Sequence, residues 1–384
     1  MIPVARPWMD EREADAARRV ILSGWVTQGP EVAAFEREFA GVVGAAHACA
    51  VSSCTTALHL ALVALGVEPG DEVVTVSHSF VATANAIRYT GAVPVFVDID
   101  PETFNIDPSL VEAAFTSRTK AILAVHQLGM PCDLSALVSI AACHGVPLIE
   151  DAACAIGSEI NWQGTWQRIG RPHGDVACFS FHPRKLLSTG DGGMLTTANE
   201  ELDRSFRLLR QHGMSVPDAV RHSSDRVIFE SYPVLGYNYR MTDIQAAIGR
   251  EQLKRLPEMV AHRRRLAARY GEQLQSVADV SVPVEREWAR SNWQSYAIRL
   301  ATHVDQRTLM QHMLDSGVAT RRGVMNVHRE PSYPPGSWRA GSALTRSEEA
   351  QDSALVLPLY HQLTGDDQDR VVEALRSGIT SSRR

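Results

Sequence analysis

The sequence predicts an α/β protein on a doubly wound, mostly parallel sheet. Three observations carry this. The candidate strands are short, continuous apolar runs, as expected for a sheet covered on both faces. They alternate with helical stretches, the pattern of parallel strands joined by crossover helices. Gly and Pro punctuate almost every connection, as in Glu68-Pro-Gly-Asp71, Gly91-Ala-Val-Pro94 and Gly145-Val-Pro147.

The elements follow in order. An acidic, amphipathic helix is expected over 10–22, broken by Trp25-Val-Thr-Gln-Gly-Pro30, with a second helix over 31–42. Seven strands are expected at 48–51, 72–76, 93–98, 120–125, 146–150, 176–181 and 193–197. Helices are expected between them at 55–65, 80–89, 108–115 and 134–144. After Thr197 the pattern changes: a helix over 200–212, a polar surface excursion over 213–230, and a helix over 242–255 that Leu256-Pro257 interrupts. The Arg-rich stretch 258–275 reads as a long helix bridging to a second lobe. Strands near 280–282 and 295–300 and helices over 306–316 and 366–377 complete that lobe. This divides the chain into a large domain, 1–257, and a smaller α+β domain, 258–384.

Composition excludes several function classes. The net charge is −6 over 384 residues with no basic block, which argues against a nucleic-acid partner. The first ten residues lack the apolar core of a signal peptide, and no run of about 18 apolar residues exists to span a membrane. Six scattered cysteines without a C-x-x-C pair argue against a disulfide framework or zinc knuckle and for the reducing cytoplasm. His126, His182 and His328 have no metal-ligand spacing, so no metal is expected. The first two read as structural and His328 as substrate-facing.

The chemistry centres on Lys185. The chain contains only three lysines, Lys120, Lys185 and Lys254, against many arginines. Arginine cannot lose its proton in a protein, whereas lysine can become a neutral amine and form a Schiff base. Lys120 and Lys254 have ordinary surface readings. Lys185 stands in the turn after an apolar strand, where parallel sheets place their active-site residues. Asp151 ends the preceding strand, where an unpaired carboxylate is costly. Alone it reads as a helix N-cap. Together, Lys185 and Asp151 are what pyridoxal phosphate requires: a lysine for its imine and an acid for its pyridine nitrogen.

The phosphate of such a cofactor needs a cradle. Val51-Ser-Ser-Cys-Thr-Thr-Ala-Leu58 reads as strand, polar turn and helix start, with Thr55 the best hydroxyl for an anion at the helix N-terminus. Ser180 offers another hydroxyl. Gly190-Asp-Gly-Gly193 reads as a close-packing turn or hairpin. Phe80 has two readings, a core aromatic or a cover for a flat ring. Gly236-Tyr-Asn-Tyr-Arg-Met-Thr-Asp243 reads as a subunit interface or site edge. Cys54 and Cys154 have no evident activating base and are not taken as nucleophiles.

Several stretches together resemble the sugar aminotransferase family named for DegT, DnrJ, EryC1 and StrS. They are Ser52-Ser-Cys-Thr-Thr-Ala-Leu-His-Leu-Ala-Leu62, Pro69-Gly-Asp-Glu-Val73, Ser79-Phe-Val-Ala-Thr-Ala-Asn-Ala86, Pro94-Val-Phe-Val-Asp98, Glu150-Asp-Ala-Ala153, Phe179-Ser-Phe-His-Pro-Arg-Lys185, Gly190-Asp-Gly-Gly-Met194 and Gly236-Tyr-Asn-Tyr-Arg-Met-Thr-Asp243. The resemblance spans nearly the whole chain. It implies the fold of type I pyridoxal phosphate enzymes, a mostly parallel seven-stranded sheet with helices on both faces and a smaller C-terminal domain. It implies that Lys185 carries the cofactor and shuttles the proton, that Asp151 pairs with the pyridinium nitrogen, and that Phe80 stacks on the ring. It implies further that Cys54 (through its amide), Thr55 and Ser180 hold the phosphate. Asn238 would reach the phosphate of a partner subunit, making the enzyme a homodimer.

One departure stands out: Cys154 occupies a position where the family usually has Gln or His. The resemblance implies transfer of an amino group from an amino acid, L-glutamate, to a keto sugar linked to a nucleotide. A keto-cyclitol aminotransferase and a non-catalytic cofactor-binding regulator are the alternatives. Arg321, Arg322 and His328 are the candidates for substrate contact.

Overall fold

The computed structural model describes residues 1–216, 221 and 224–383. Part of the excursion expected over 213–230 therefore lies outside the described residues. The N-terminal half alternates as the periodicity predicts: α1 (Glu11–Ser23), α2 (Pro30–Val43), β1 (His47–Val51), α3 (Cys54–Ala64), β2 (Glu72–Val76), α4 (Ala82–Tyr89), β3 (Val93–Val97), β4 (Thr119–Val125), α5 (Leu134–His144) and β5 (Leu148–Asp151). A small hairpin follows, β6 (Glu159–Trp162) and β7 (Thr165–Arg168), then β8 (Val176–Ser180), β9 (Gly193–Thr197) and α6 (Glu200–Leu209). The remainder comprises α7 (Asp243–Leu274), β10 (Val280–Ser281), β11 (Ala289–Arg290), β12 (Tyr296–Leu300), α8 (Gln306–Asp315), β13 (Arg321–Arg322), β14 (Arg339–Ala340), α9 (Thr345–Ser353), β15 (Ala354–Leu357) and α10 (Gly365–Ser381).

All seven predicted strands are present in the central sheet, whose order is β1-β9-β8-β5-β4-β2-β3-β14. β9 runs antiparallel to both its neighbours and the other pairings are parallel. The eighth strand, β14, comes from the C-terminal region. Its two residues are too few to give an apolar run, and Arg339 secures them through Glu72, with Nη2 to Oε2 at 2.8 Å. The carboxyl ends of β5 and β8 lie side by side, which brings Asp151 next to Cys178 in the ladder.

Two expectations for helices are corrected. The stretch 108–115 forms two 3₁₀ turns, Pro108–Leu110 and Glu112–Ala114. The i to i+3 geometry stacks Val111 and Ala114 on the same side, and both are buried. Pro257 does not interrupt its helix: α7 is continuous over 32 residues. The proline removes one intrahelical hydrogen bond, but apolar contacts hold the helix on both sides of it. Leu253, Leu256, Met259 and Val260 enter the large core. Leu266, Tyr270 and Leu274 enter a second core beneath the antiparallel sheet β10-β12-β15-β13. The N-terminal residues, counted above with the large domain, also join that second core. Ile2 is buried there, with its N–H donating to Gly317 O at 2.8 Å.

β1 is held from outside by charge. Glu36 of α2 is buried and accepts from Arg210 Nη1 at 2.5 Å and Arg207 Nη1 at 2.7 Å, the second on α6 and the first capping its C-terminus. The same groups reach the strand backbone: Ala50 N–H donates to Glu36 Oε1, and the two arginines donate to Ala50 O and Ala48 O. Burial pushes the Glu36 carboxyl up, but Arg210 and Arg207 more than offset it, and the net direction is below the ordinary 4.5. Its stabilisation is therefore complete above about pH 4.5 and fades as pH falls through the lower folded value. Removing one partner leaves buried charge uncompensated, so Glu36→Ala should cost about 3–5 kcal/mol at pH 7. Urea titrations at pH 7 and pH 3 check this: the gap from wild type must narrow at the lower pH.

Candidate active site

One cavity of about 710 Å³ opens at the carboxyl ends of β5 and β8. Its walls include Ser53, Cys54 and Thr55 from the start of α3, Phe80 and Thr83 around α4, and Asp151, Ser180 and Lys185. Six of the seven cofactor residues expected from sequence therefore meet at one place. The seventh, Asn238, is exposed and lies off this cavity, pairing by its backbone with Gln211.

Asp151 is the buried charge of the site, 4% exposed. Its Oδ2 accepts from Thr83 Oγ1 at 2.8 Å and its Oδ1 from Ala153 N–H at 3.1 Å. Because Thr83 donates to the carboxylate, its oxygen is free to accept from Ser79 Oγ at 2.7 Å, giving a hydroxyl relay. Burial pushes the Asp151 carboxyl above its ordinary 3.8, against those hydrogen bonds and the Lys185 charge. Thr83 was not singled out from sequence. The available signal was the pair Ser79 and Thr83, four residues apart at a helix start.

Lys185 sits in the loop between β8 and β9. Its Nζ donates to Cys154 Sγ at 3.0 Å. Burial lowers the pKa of the ammonium, but the Cys154 sulfur, Cys54 and Asp151 favour the charged form, and the net direction is up. Cys54 Sγ lies 3.6 Å from Cys178 O and 4.0 Å from Asp151 Oδ1. Burial and the nearby carboxylate push its thiol well up, so it is no nucleophile at neutral pH.

The start of α3 is built for an anion. Ser53 and Thr56 form a reciprocal capping box, which leaves the Thr55 hydroxyl outside it. Gly193 is why this turn can lie so close to β9: a Cβ there would stand 2.4 Å from the Ser53 carbonyl carbon. The glycine-rich turn thus serves close packing. Phe80 is 57% exposed at the cavity wall. His126 is fully buried with both nitrogens engaged: Cys132 N–H donates to Nδ1, so Nε2 carries the proton that it gives to Glu150 at 3.0 Å.

Of the residues expected to contact substrate, Arg321 and Arg322 line the mouth of the cavity on β13. His328 does not line it. Its Nδ1 lies 2.6 Å from Ser77 Oγ and its Nε2 3.0 Å from Glu348 Oε1, and the ring is almost covered. The substrate-facing expectation is corrected accordingly: this histidine ties the 327–329 turn to the end of β2. His328→Ala should lower stability by about 1–3 kcal/mol and leave the KM for substrate within about twofold, since ~0.4 kcal/mol is all a non-contacting residue should contribute. Melting curves and steady-state kinetics check both halves.

Residues 7–376 match the DegT/DnrJ/EryC1/StrS aminotransferase family. The chain belongs to that family. Its similar relatives include the spore coat polysaccharide biosynthesis protein SpsC of Bacillus subtilis, 39% identical over 98% of this chain and 96% of that protein. The GDP-perosamine synthase of Caulobacter vibrioides is 38% identical over 97% of each. Among solved structures, the aminotransferase TlmJ from Streptoalloteichus hindustanus superposes with a TM-score of 0.90 at 36% identity, covering 99% of both chains. Spr1654 from Streptococcus pneumoniae, solved in a PMP-form and a PLP-form, gives 0.92 and 0.91 at 25% identity, covering 100% of both chains. The aminotransferase fold expected from sequence is thus the fold observed, a mainly parallel sheet flanked by helices. Among the described residues, no helix of this family member is long and apolar enough to cross a membrane.

Proposed function

We propose that this chain moves an amino group from an amino acid, L-glutamate, to a keto sugar carried on a nucleoside diphosphate, using pyridoxal phosphate. The observation that carries this reading is a lysine and a buried carboxylate facing one cavity beside a helix N-terminus. The residues fit the cofactor. Among the described residues, Asp151 is hydrogen-bonded by no cationic side chain, only by a hydroxyl and an amide, with a thiol nearby. A protonated pyridine nitrogen would supply the missing positive partner. The α3 amides at Cys54 and Thr55, with the Thr55 and Ser180 hydroxyls, would take the phosphate. When bound, the cofactor supplies an electron sink for the carbon that loses its proton.

The chain's own residues do the rest. Asp151, polarised by the Ser79–Thr83 relay, holds the proton on the pyridine nitrogen. Phe80, exposed at the cavity wall, would cover the face of the ring and exclude water from it. Lys185 Nζ takes the α-proton of the amino acid and returns a proton to the sugar carbon in the second half-reaction. Arg321 and Arg322 offer guanidinium forks at the mouth, suited to a diphosphate. Asn238 is exposed and off its own cavity, in keeping with delivery to the cavity of a second copy, so the working unit is a homodimer. Free cysteines fit a cytoplasmic home.

A panel of keto sugars with and without a nucleotide tests the reading, using glutamate as donor and the cofactor's absorbance as signal. Turnover restricted to nucleotide-linked sugars is expected. Turnover of free keto-cyclitols alone would replace the substrate assignment.

A further inference from the structure

The segment Ser291-Asn292-Trp293-Gln294 enters the site from a part of the chain with no chemistry of its own. Gln294 lines the cavity and is almost fully buried. Its side chain grips the backbone on both sides of Lys185: Oε1 accepts from Leu186 N–H at 2.7 Å, and Nε2 donates to Arg184 O at 2.6 Å. Asn292 does the same for the facing turn, donating through Nδ2 to Cys154 O at 2.9 Å and Ile156 O at 2.7 Å. Its Oδ1 accepts from Gln294 N–H at 2.8 Å, which ties the two grips together. One short segment thus fixes both ends of the Lys185–Cys154 contact.

The support beneath this segment is unusual. Arg263 of α7 is buried, and its Nη1 donates to Trp293 O at 3.1 Å and Gln294 O at 3.0 Å. No carboxylate pairs with it among the described residues, and burial alone pushes its pKa down to about 10. Burying an unpaired guanidinium is expensive, and its hydrogen bonds go to the carbonyls of the gripping segment. Gly129 makes room for Asn292: φ is +98°, and a Cβ there would stand 2.1 Å from Asn292 Oδ1. Trp293 takes the left-handed region without being glycine, at φ +53°. A charge, a glycine and a strained residue all serve one placement.

We propose that Gln294 is a positioning residue for Lys185, holding Nζ where it can reach the cofactor, with Arg263 and Asn292 fixing Gln294 in turn. The inference rests on the cofactor reading above. It concerns attachment: Lys185 Nζ adds to the aldehyde of pyridoxal phosphate, an imine forms and water leaves. Gln294 makes no part of the phosphate cradle, so a ligand that cannot attach should not feel it. Pyridoxamine phosphate is that ligand.

The test mixes cofactor-free protein with each compound. Wild type should bind both and attach pyridoxal phosphate, read by absorbance. If it attaches none, the cofactor reading fails and not the positioning role. In Gln294→Ala, attachment should slow by roughly 100-fold, the scale of a misplacement near 1 Å, while pyridoxamine phosphate affinity stays within about threefold, or ~0.65 kcal/mol. Gln294→Glu keeps the acceptor for Leu186 N–H and loses the donor to Arg184 O. It should recover part of the rate, and it serves as the readout if the alanine variant does not fold. Equal losses for the two compounds would mean that Gln294 merely props up the cavity, and unchanged attachment would mean that it places nothing. Either result overturns the proposal.

Discussion

Lys185→Ala should lower turnover by at least ~10⁴-fold, the upper range for loss of a proton-transferring group together with its covalent role. The same variant should still bind pyridoxamine phosphate, because the cradle at α3 and the Asp151 carboxylate remain. The imine absorbance band must disappear while pyridoxamine phosphate binding by calorimetry persists. Turnover within tenfold of wild type would remove Lys185 from the mechanism. The expectation is sharp because neither other lysine lines the cavity: Lys120 and Lys254 are absent from its walls. No second amine stands ready to substitute.

Asp151→Asn is the second large effect. The amide has the carboxylate's shape, so packing against Thr83 and Ala153 survives. It cannot act as the anionic partner of a protonated ring nitrogen, and turnover should fall on the order of 100- to 1,000-fold. Stability should move the other way. Burial raises the Asp151 carboxyl above 3.8 in the folded chain. A raised carboxyl favours the fold fully below its unfolded value and loses that contribution as pH rises through the folded one. Cofactor-free wild type should therefore melt lower than the variant at pH 7 and match it near pH 3. If the cofactor-free variant melted lower at pH 7, Asp151 would be a supporting ion and not a strained partner awaiting a cation.

The sequence made the two central residues legible for different reasons. Lys185 stood out by rarity, Asp151 by its place at the end of an apolar run. Both signals are local. Gln294 and Asn292 carry no such signal, and the Ser79–Thr83 pair gives Thr83 only a weak one, because each matters through a neighbour far along the chain: Thr83 meets Asp151 across 68 residues, and Gln294 meets Leu186 across 108. His328 was misplaced for the same reason. It was grouped with Arg321 and Arg322 as a substrate contact, whereas Ser77, 251 residues away, covers it. The long helix through Pro257 shows burial overriding a local breaker, and β14 shows a strand whose two residues have no pattern to read. The seven longer strands were readable because a sheet covered on both faces imposes continuous apolar runs.

The charge network on β1 has a consequence beyond its stability. β1 is the terminal strand of the central sheet, and its outer side would otherwise present open amides and carbonyls. Such a row is a template on which another chain can add a strand. Glu36, Arg207 and Arg210 occupy it with side chains, taking the Ala50 amide and the Ala48 and Ala50 carbonyls. They work as a guard against mis-association. A chain lacking Glu36 should then show, besides its lowered stability, light scattering on standing at concentration.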